Sequence, residues 1–94
     1  MEDWKKQWLE EYLAYDDAIN QLKKFAKKNL PKPKKGFEYY PEARGGHGLN
    51  TAYLLIADKN DYRFAERYCD ISGNGTSRAE ALMDLISKLK YKDF

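Results

Sequence analysis

The chain reads as an α+β domain in the order α-β-β-β-α: a long N-terminal helix, a three-stranded antiparallel sheet and a C-terminal helix, with both helices on one face of the sheet. Three observations predict this. Apolar residues recur at steps of three and four from Trp4 to Ala26, the period of one helical face. Two strand-length runs, residues 51–57 and 62–71, flank Asp58-Lys59-Asn60-Asp61, whose turn chemistry joins them as a hairpin. After them Ser72-Gly73-Asn74-Gly75-Thr76-Ser77 opens onto a second amphipathic stretch.

Ninety-four residues correspond to one domain, large enough to bury a core without disulfides or metals. We expect residues 1–94 to form a single unit. Within it lie an amphipathic helix at 1–29, a basic Pro-Lys connector at 30–36, the sheet at 37–71 and a helix at 77–90. The lone Cys69 rules out an internal disulfide, so the chain suits a reducing cytoplasm or tolerates either compartment, and a cytoplasmic protein is expected. No secretory signal and no membrane-spanning apolar run is recognisable.

Trp4, Trp8, Tyr12, Tyr15, Ile19, Leu22 and Ala26 form the main stripe of the first helix, and Leu9 and Leu13 fall away from it. Either the helix packs on two sides, or those leucines form a small apolar patch for a partner. Pro31, Pro33 and Gly36 end the helix and make the following segment an extended, exposed connector. Residues 37–43 favour a strand, but Pro41 cannot donate to a ladder and confines it to an edge or a bulge. Arg44 to Asn50 holds three glycines and is expected to be a mobile loop. In residues 62–71, alternation sets Tyr62, Phe64 and Tyr68 on one face and Arg63, Ala65 and Arg67 on the other. Ser77 with Glu80 three residues later predicts a capping box. The face of the last helix is then Ala79, Leu82, Met83, Ile86 and Leu89, followed by a polar tail that frays.

The net charge of +2 conceals a strong segregation. Residues 1–17 hold six acids against two lysines, residues 18–35 hold seven lysines and no acid, and the remainder sums to −1. Acid early and base late in a helix matches its macrodipole. The lysines nonetheless continue beyond the helix into the connector, where the dipole no longer accounts for them.

Glycines around His47 before the second strand, and the glycine-rich entry to the last helix, resemble the double-stranded RNA-binding domain in their α-β-β-β-α setting. The resemblance implies recognition of A-form RNA through the first helix, a histidine-bearing loop and a basic run opening the last helix. Here that run is Ser77-Arg78-Ala79-Glu80-Ala81-Leu82, with Arg78 as its one cation. The stretch Gly75-Thr76-Ser77-Arg78-Ala79-Glu80-Ala81-Leu82 is also similar to the G-x-[ST]-x-x-E-A-L turn of HicB-type antitoxins, which implies a small RNA-cleaving toxin as partner. In that family no long helix precedes the sheet. In length, tyrosine content and charge segregation the chain resembles accessory proteins of phages and mobile elements, which commonly bind a host component.

Three sets of residues are candidates for binding. Lys23, Lys24, Lys27, Lys28, Lys32, Lys34 and Lys35, extended by Arg63, Arg67 and Arg78, could contact nucleic-acid phosphates or another anion; the alternative is a solvated helix end. Trp4, Trp8, Leu9, Glu10, Tyr12, Leu13, Asp16 and Asp17 form an acidic-aromatic helix surface suited to a protein partner or to a second copy of the chain. Gly73, Gly75, Thr76 and Ser77 could hold an anion at a helix start, but without a Walker lysine a tight strand-to-helix connection with its own cap is the better account of them.

His47 and Cys69 supply neither a zinc ligand set nor a triad, so no catalytic residue, metal or cofactor is expected. Glu10-Glu11 and Asp16-Asp17 are sequence neighbours and do not face each other on a helix. The expected function is that of a non-enzymatic binding protein that occludes a host or toxin macromolecule. The alternatives are a nucleic-acid binder using the lysines and an antitoxin-like partner of a small toxin.

Overall fold

The computed structural model describes residues 2–46 and 48–91, with side chains from residue 9 onward. Helix α1 spans Glu2–Asn29, strands β1, β2 and β3 span Phe37–Gly46, Leu49–Asp58 and Asp61–Gly75, and helix α2 spans Arg78–Lys90. The sheet is antiparallel in the order β1-β2-β3. Both helices lie on one face, α2 against all three strands and α1 against α2 and β1. The predicted α+β architecture is therefore the observed one.

Ala18, Leu22 and Ala26, spaced four apart, are the buried line of α1, and Leu30 prolongs it. They meet Leu82, Leu85 and Leu89 of α2 and Ala52 and Leu54 of β2 in one core. Leu22, fully buried, contributes about 2 kcal/mol by leaving water. The small alanines let the helices approach the sheet closely. Tyr12, expected on the packed stripe, is instead exposed, because the packed face of α1 begins only at Tyr15 and Ala18.

The connector after α1 is exposed but tied down. The Tyr39 hydroxyl donates to the Pro31 carbonyl at 2.5 Å, Phe37 N–H donates to Lys34 O, and Lys59 N–H donates to Gly36 O, each at 2.9 Å. Gly36 turns the chain at φ +90°, a left-handed conformation that glycine adopts freely. Pro41 lies opposite Leu54 on the outer strand, the position in a sheet where a proline is tolerated.

Residues 44–50 overturn the expected loop. β1 runs to Gly46 and β2 starts at Leu49, in unbroken register from Phe37↔Asp58 to Gly46↔Leu49. Glycine there serves close backbone passage: at Gly45 (φ +137°) an added Cβ would lie 2.2 Å from Leu49 O. His47, assigned to this loop from sequence, lies outside the described residues.

The expected hinge at 72–77 is likewise strand as far as Gly75. Gly73 is buried beneath α2, where a Cβ would lie 2.1 Å from Ala81 O. A bulge between Tyr53 and Leu55 breaks the alternation predicted for β3. As a result Tyr68 packs against the core, while Arg67 lies over Tyr53, 4.0 Å from the ring centroid.

Ser77 caps α2 by accepting from Glu80 N–H at 3.1 Å. The reciprocal half of the predicted box is absent, because the Glu80 carboxylate bonds the Thr76 hydroxyl instead. The buried face is Ala81, Leu82, Leu85, Ile86 and Leu89; Met83, predicted to belong to it, is exposed because the packed stripe is rotated toward Leu85. Tyr91 closes the helix, and residues 92–94 of the expected tail lie outside the described residues. No described helix is long and apolar enough to cross a membrane.

Candidate functional site

A helix of 28 residues is about 42 Å long, roughly twice the length of the 13-residue α2 that it packs against. Its core contacts come from Tyr15, Ala18, Ile19, Leu22, Phe25 and Ala26. Before them, residues 9–14 are all exposed. Leu9 is 50% exposed, and Tyr12 and Leu13 are each 55% exposed. Leu9 and Leu13 are one helical turn apart on one side. Asp16 and Asp17 flank them on the same side, Glu10 borders that side, and Glu11 lies on the opposite side of the helix; all four are exposed. The side chains of Trp4 and Trp8, grouped with this surface from sequence, lie outside the described ones.

The lysines gather at the other end of the molecule. Lys23, Lys24, Lys27, Lys28, Lys32, Lys34 and Lys35 are exposed, and among the described residues none forms a salt bridge. The bond from Lys59 N–H to Gly36 O brings the β2–β3 turn and Arg63 to the same end. Arg63 is committed to Asp61, with Nη2 to Oδ2 at 2.8 Å, and the pair holds the Asp61 carboxyl below its usual range.

Arg67 is stacked on Tyr53. Arg78 stands near the opposite end of the sheet, in a pocket that Glu10 and Glu11 also line. The structure therefore does not assemble the ten cations into one patch: the lysines and Arg63 lie together, whereas Arg67 and Arg78 lie apart.

A pocket of about 600 Å³ opens where α1 passes the β1–β2 hairpin and the start of α2. Glu10, Glu11, Tyr15, Asn50 and Arg78 are among its lining residues. The Arg78 guanidinium carbon lies 6.0 Å from the centre of the Tyr15 ring. Burial raises the Tyr15 hydroxyl pKa, and nearby Arg78 partly offsets the rise. Thr76 and Ser77 border this pocket, whereas Gly73 and Gly75 are held against α2, so the four hinge residues do not form one cradle.

The sheet face away from the helices carries Tyr40 and Tyr62, with ring centroids 5.3 Å apart. The Tyr62 hydroxyl donates to Glu38 Oε1 at 2.6 Å, which raises the hydroxyl's pKa. Arg44 is paired with Glu42 at 2.7 Å on the neighbouring strand positions. Cys69 is a free, half-buried thiol packed against the core. Among the described residues, no group of three or more His, Cys, Asp or Glu side chains is placed to hold a metal.

Asn50 and Tyr15 were not singled out from sequence as site residues. Asn50 carried a usable signal: it precedes Ala52 and Leu54 at every second position, a polar residue in an inward-facing series. Tyr15 carried none, since an aromatic on a helical stripe reads as core. No family model, curated protein or solved structure matches the chain.

Proposed function

We propose that the protein is a small non-enzymatic binding protein that uses the outer half of α1 to occlude a basic, partly apolar surface of a macromolecular partner, as inhibitors of phage and mobile-element type do. The observation that carries this reading is the run of exposed residues 9–14, with Leu9 and Leu13 half in water on a helix whose later turns bury one face in the core. Apolar side chains of this size anchor interfaces when a partner covers them. The surrounding carboxylates select a cationic surface and speed its approach. A toxin that must grip RNA carries such a surface, so the antitoxin-like reading is one form of the same proposal.

The test is binding of a partner captured from nuclease-treated extract of the producing cells, with the intact protein compared with a Leu9→Ser/Leu13→Ser variant. The same partner should be lost from the variant and retained by a variant in which Lys27, Lys28, Lys34 and Lys35 are glutamate.

A second reading is supported by the seven exposed lysines, which have no carboxylate partner among the described residues. Such a cluster favours nucleic acid, with an affinity that falls log-linearly as salt rises. In the double-stranded RNA-binding domain, the first helix, the hairpin loop and the start of the last helix form the RNA surface. Their counterparts here carry Glu10 and Glu11 beside Arg78. Two carboxylates repel phosphate at that place, which is why the lysine end is the better site under this reading.

A further inference from the structure

The junction pocket has the features of a built site for a small ligand. Asn50 is 5% exposed, yet no hydrogen bond reaches its side-chain amide among the described residues. No sealed side-chain nitrogen or oxygen among them lacks a partner, so the Asn50 amide keeps access to the pocket that it lines. Solvent meets the amide through the pocket, and a ligand that displaces this solvent must replace it with a hydrogen bond of its own.

The start of α2 supplies a second feature. Ser77 takes two of the first N–H groups, Glu80 N–H through its hydroxyl and Ala81 N–H through its carbonyl. Arg78 N–H and Ala79 N–H have no partner among the described residues. Both residues line the pocket, and free N–H groups at a helix start attract an anion. The Arg78 side chain adds a full positive charge, with no salt bridge among the described residues. Glu10 and Glu11 supply negative charge from the α1 side, which makes the pocket unsuited to a simple anion.

We infer that this pocket binds a small zwitterion, with its carboxylate on Arg78 and the free N–H groups of α2 and its ammonium facing Glu10 and Glu11, while the Asn50 amide bonds the polar atoms between. Free amino acids and the carboxyl ends of basic peptides share this chemistry. The hairpin glycines Gly45, Gly46 and Gly48 bring no side chain to fill the space, and the volume lies within the range of small-molecule sites. This inference goes beyond the docking of a macromolecule on Leu9 and Leu13 and does not require it.

The test is amide NMR of the full chain titrated with L-lysine, L-lysinamide and the peptide Gly-Gly-Lys. L-lysine should give saturable shifts at the Arg78 and Ala79 amides and at the Asn50 side-chain NH2. Affinity should fall about tenfold for L-lysinamide, for Arg78→Gln and for Glu10→Gln/Glu11→Gln. The Leu9→Ser/Leu13→Ser variant should bind L-lysine like the intact protein, which separates this site from the docking surface. Tighter binding of Gly-Gly-Lys than of L-lysine assigns a peptide end as the ligand source, and weaker binding assigns the free amino acid. Absence of saturable shifts at those groups into the millimolar range, or equal affinity for L-lysine and L-lysinamide, overturns the inference.

Discussion

A Cβ placed on Gly73 would lie 2.4 Å from the backbone nitrogen of Leu85. Helix α2 thus rests directly on the β3 backbone, and any side chain at this position must push the helix off the sheet. Gly73→Ala is expected to cost about 3 kcal/mol, the upper end for overpacking, and to lower the thermal midpoint by at least ~10 °C. Gly46→Ala, where nothing lies within 4 Å of the added Cβ, should change stability by less than about 0.5 kcal/mol. Equal effects in thermal melts would show that α2 does not lie against Gly73.

The two halves of α1 should respond differently to truncated side chains. Leu22→Ala removes a fully buried side chain and should cost about 3 kcal/mol through lost burial and the cavity left behind. Leu9→Ser and Leu13→Ser, on the exposed turns, should each cost no more than about 0.5 kcal/mol. Denaturant midpoints of the three variants test this. A large loss at Leu9 or Leu13 would place those residues in the core.

Tyr39 should ionise well above the ordinary tyrosine value of 10.0. Burial, then the nearby Tyr68, pushes its hydroxyl up to about 12 from 10.0. A raised folded-state value favours the neutral form, so the associated stability is complete below pH 10.0 and disappears as pH rises toward 12. A late step in the tyrosinate absorbance, absent from Tyr39→Phe, checks the assignment. The same variant loses the bond to the Pro31 carbonyl and should cost about 1 kcal/mol.

Asp84 links the end of β3 to α2. Its carboxylate accepts from Asn74 N–H at 2.8 Å and pairs with Lys88 at 3.0 Å, and Lys88 also donates to Ser72 O. The Asn74 bond first, then Lys88, holds the carboxyl below its ordinary 3.8. Its stabilising effect is present above pH 3.8 and is lost as pH falls through the lower folded-state value. Asp84→Asn should therefore melt lower than the intact protein at neutral pH, with the gap narrowing as the pH falls below 3.8. A gap independent of pH would mean that the carboxylate charge has no part in it.

The helices, the hairpin at Asp58–Asp61 and the edge position of Pro41 were legible in the sequence because each follows from local period or from a single residue's covalent limits. Glycines misled in two places. At Gly45 and Gly73 they read as loop and hinge, whereas they serve close backbone approach within or beneath regular structure. That need arises from tertiary packing and leaves no local trace. The faces of β3 were misassigned because the bulge opposite Tyr53 and Leu55 depends on pairing with β2. The exposure of Leu9 and Leu13 was visible as their departure from the main stripe. The pocket was not, since Asn50, Tyr15 and Arg78 meet only once three elements pack together.

The central claim is tested most directly by probing the exposed turn of α1. A photo-reactive phenylalanine analogue at Leu13, and for comparison one at Lys34, would be crosslinked in the producing cells. The account predicts one protein adduct from position 13, abolished by Asp16→Lys/Asp17→Lys and unaffected by nuclease, with no such adduct from position 34. Crosslinks from position 34 to nucleic acid, with none to protein from position 13, would contradict it and move the function to the lysine end.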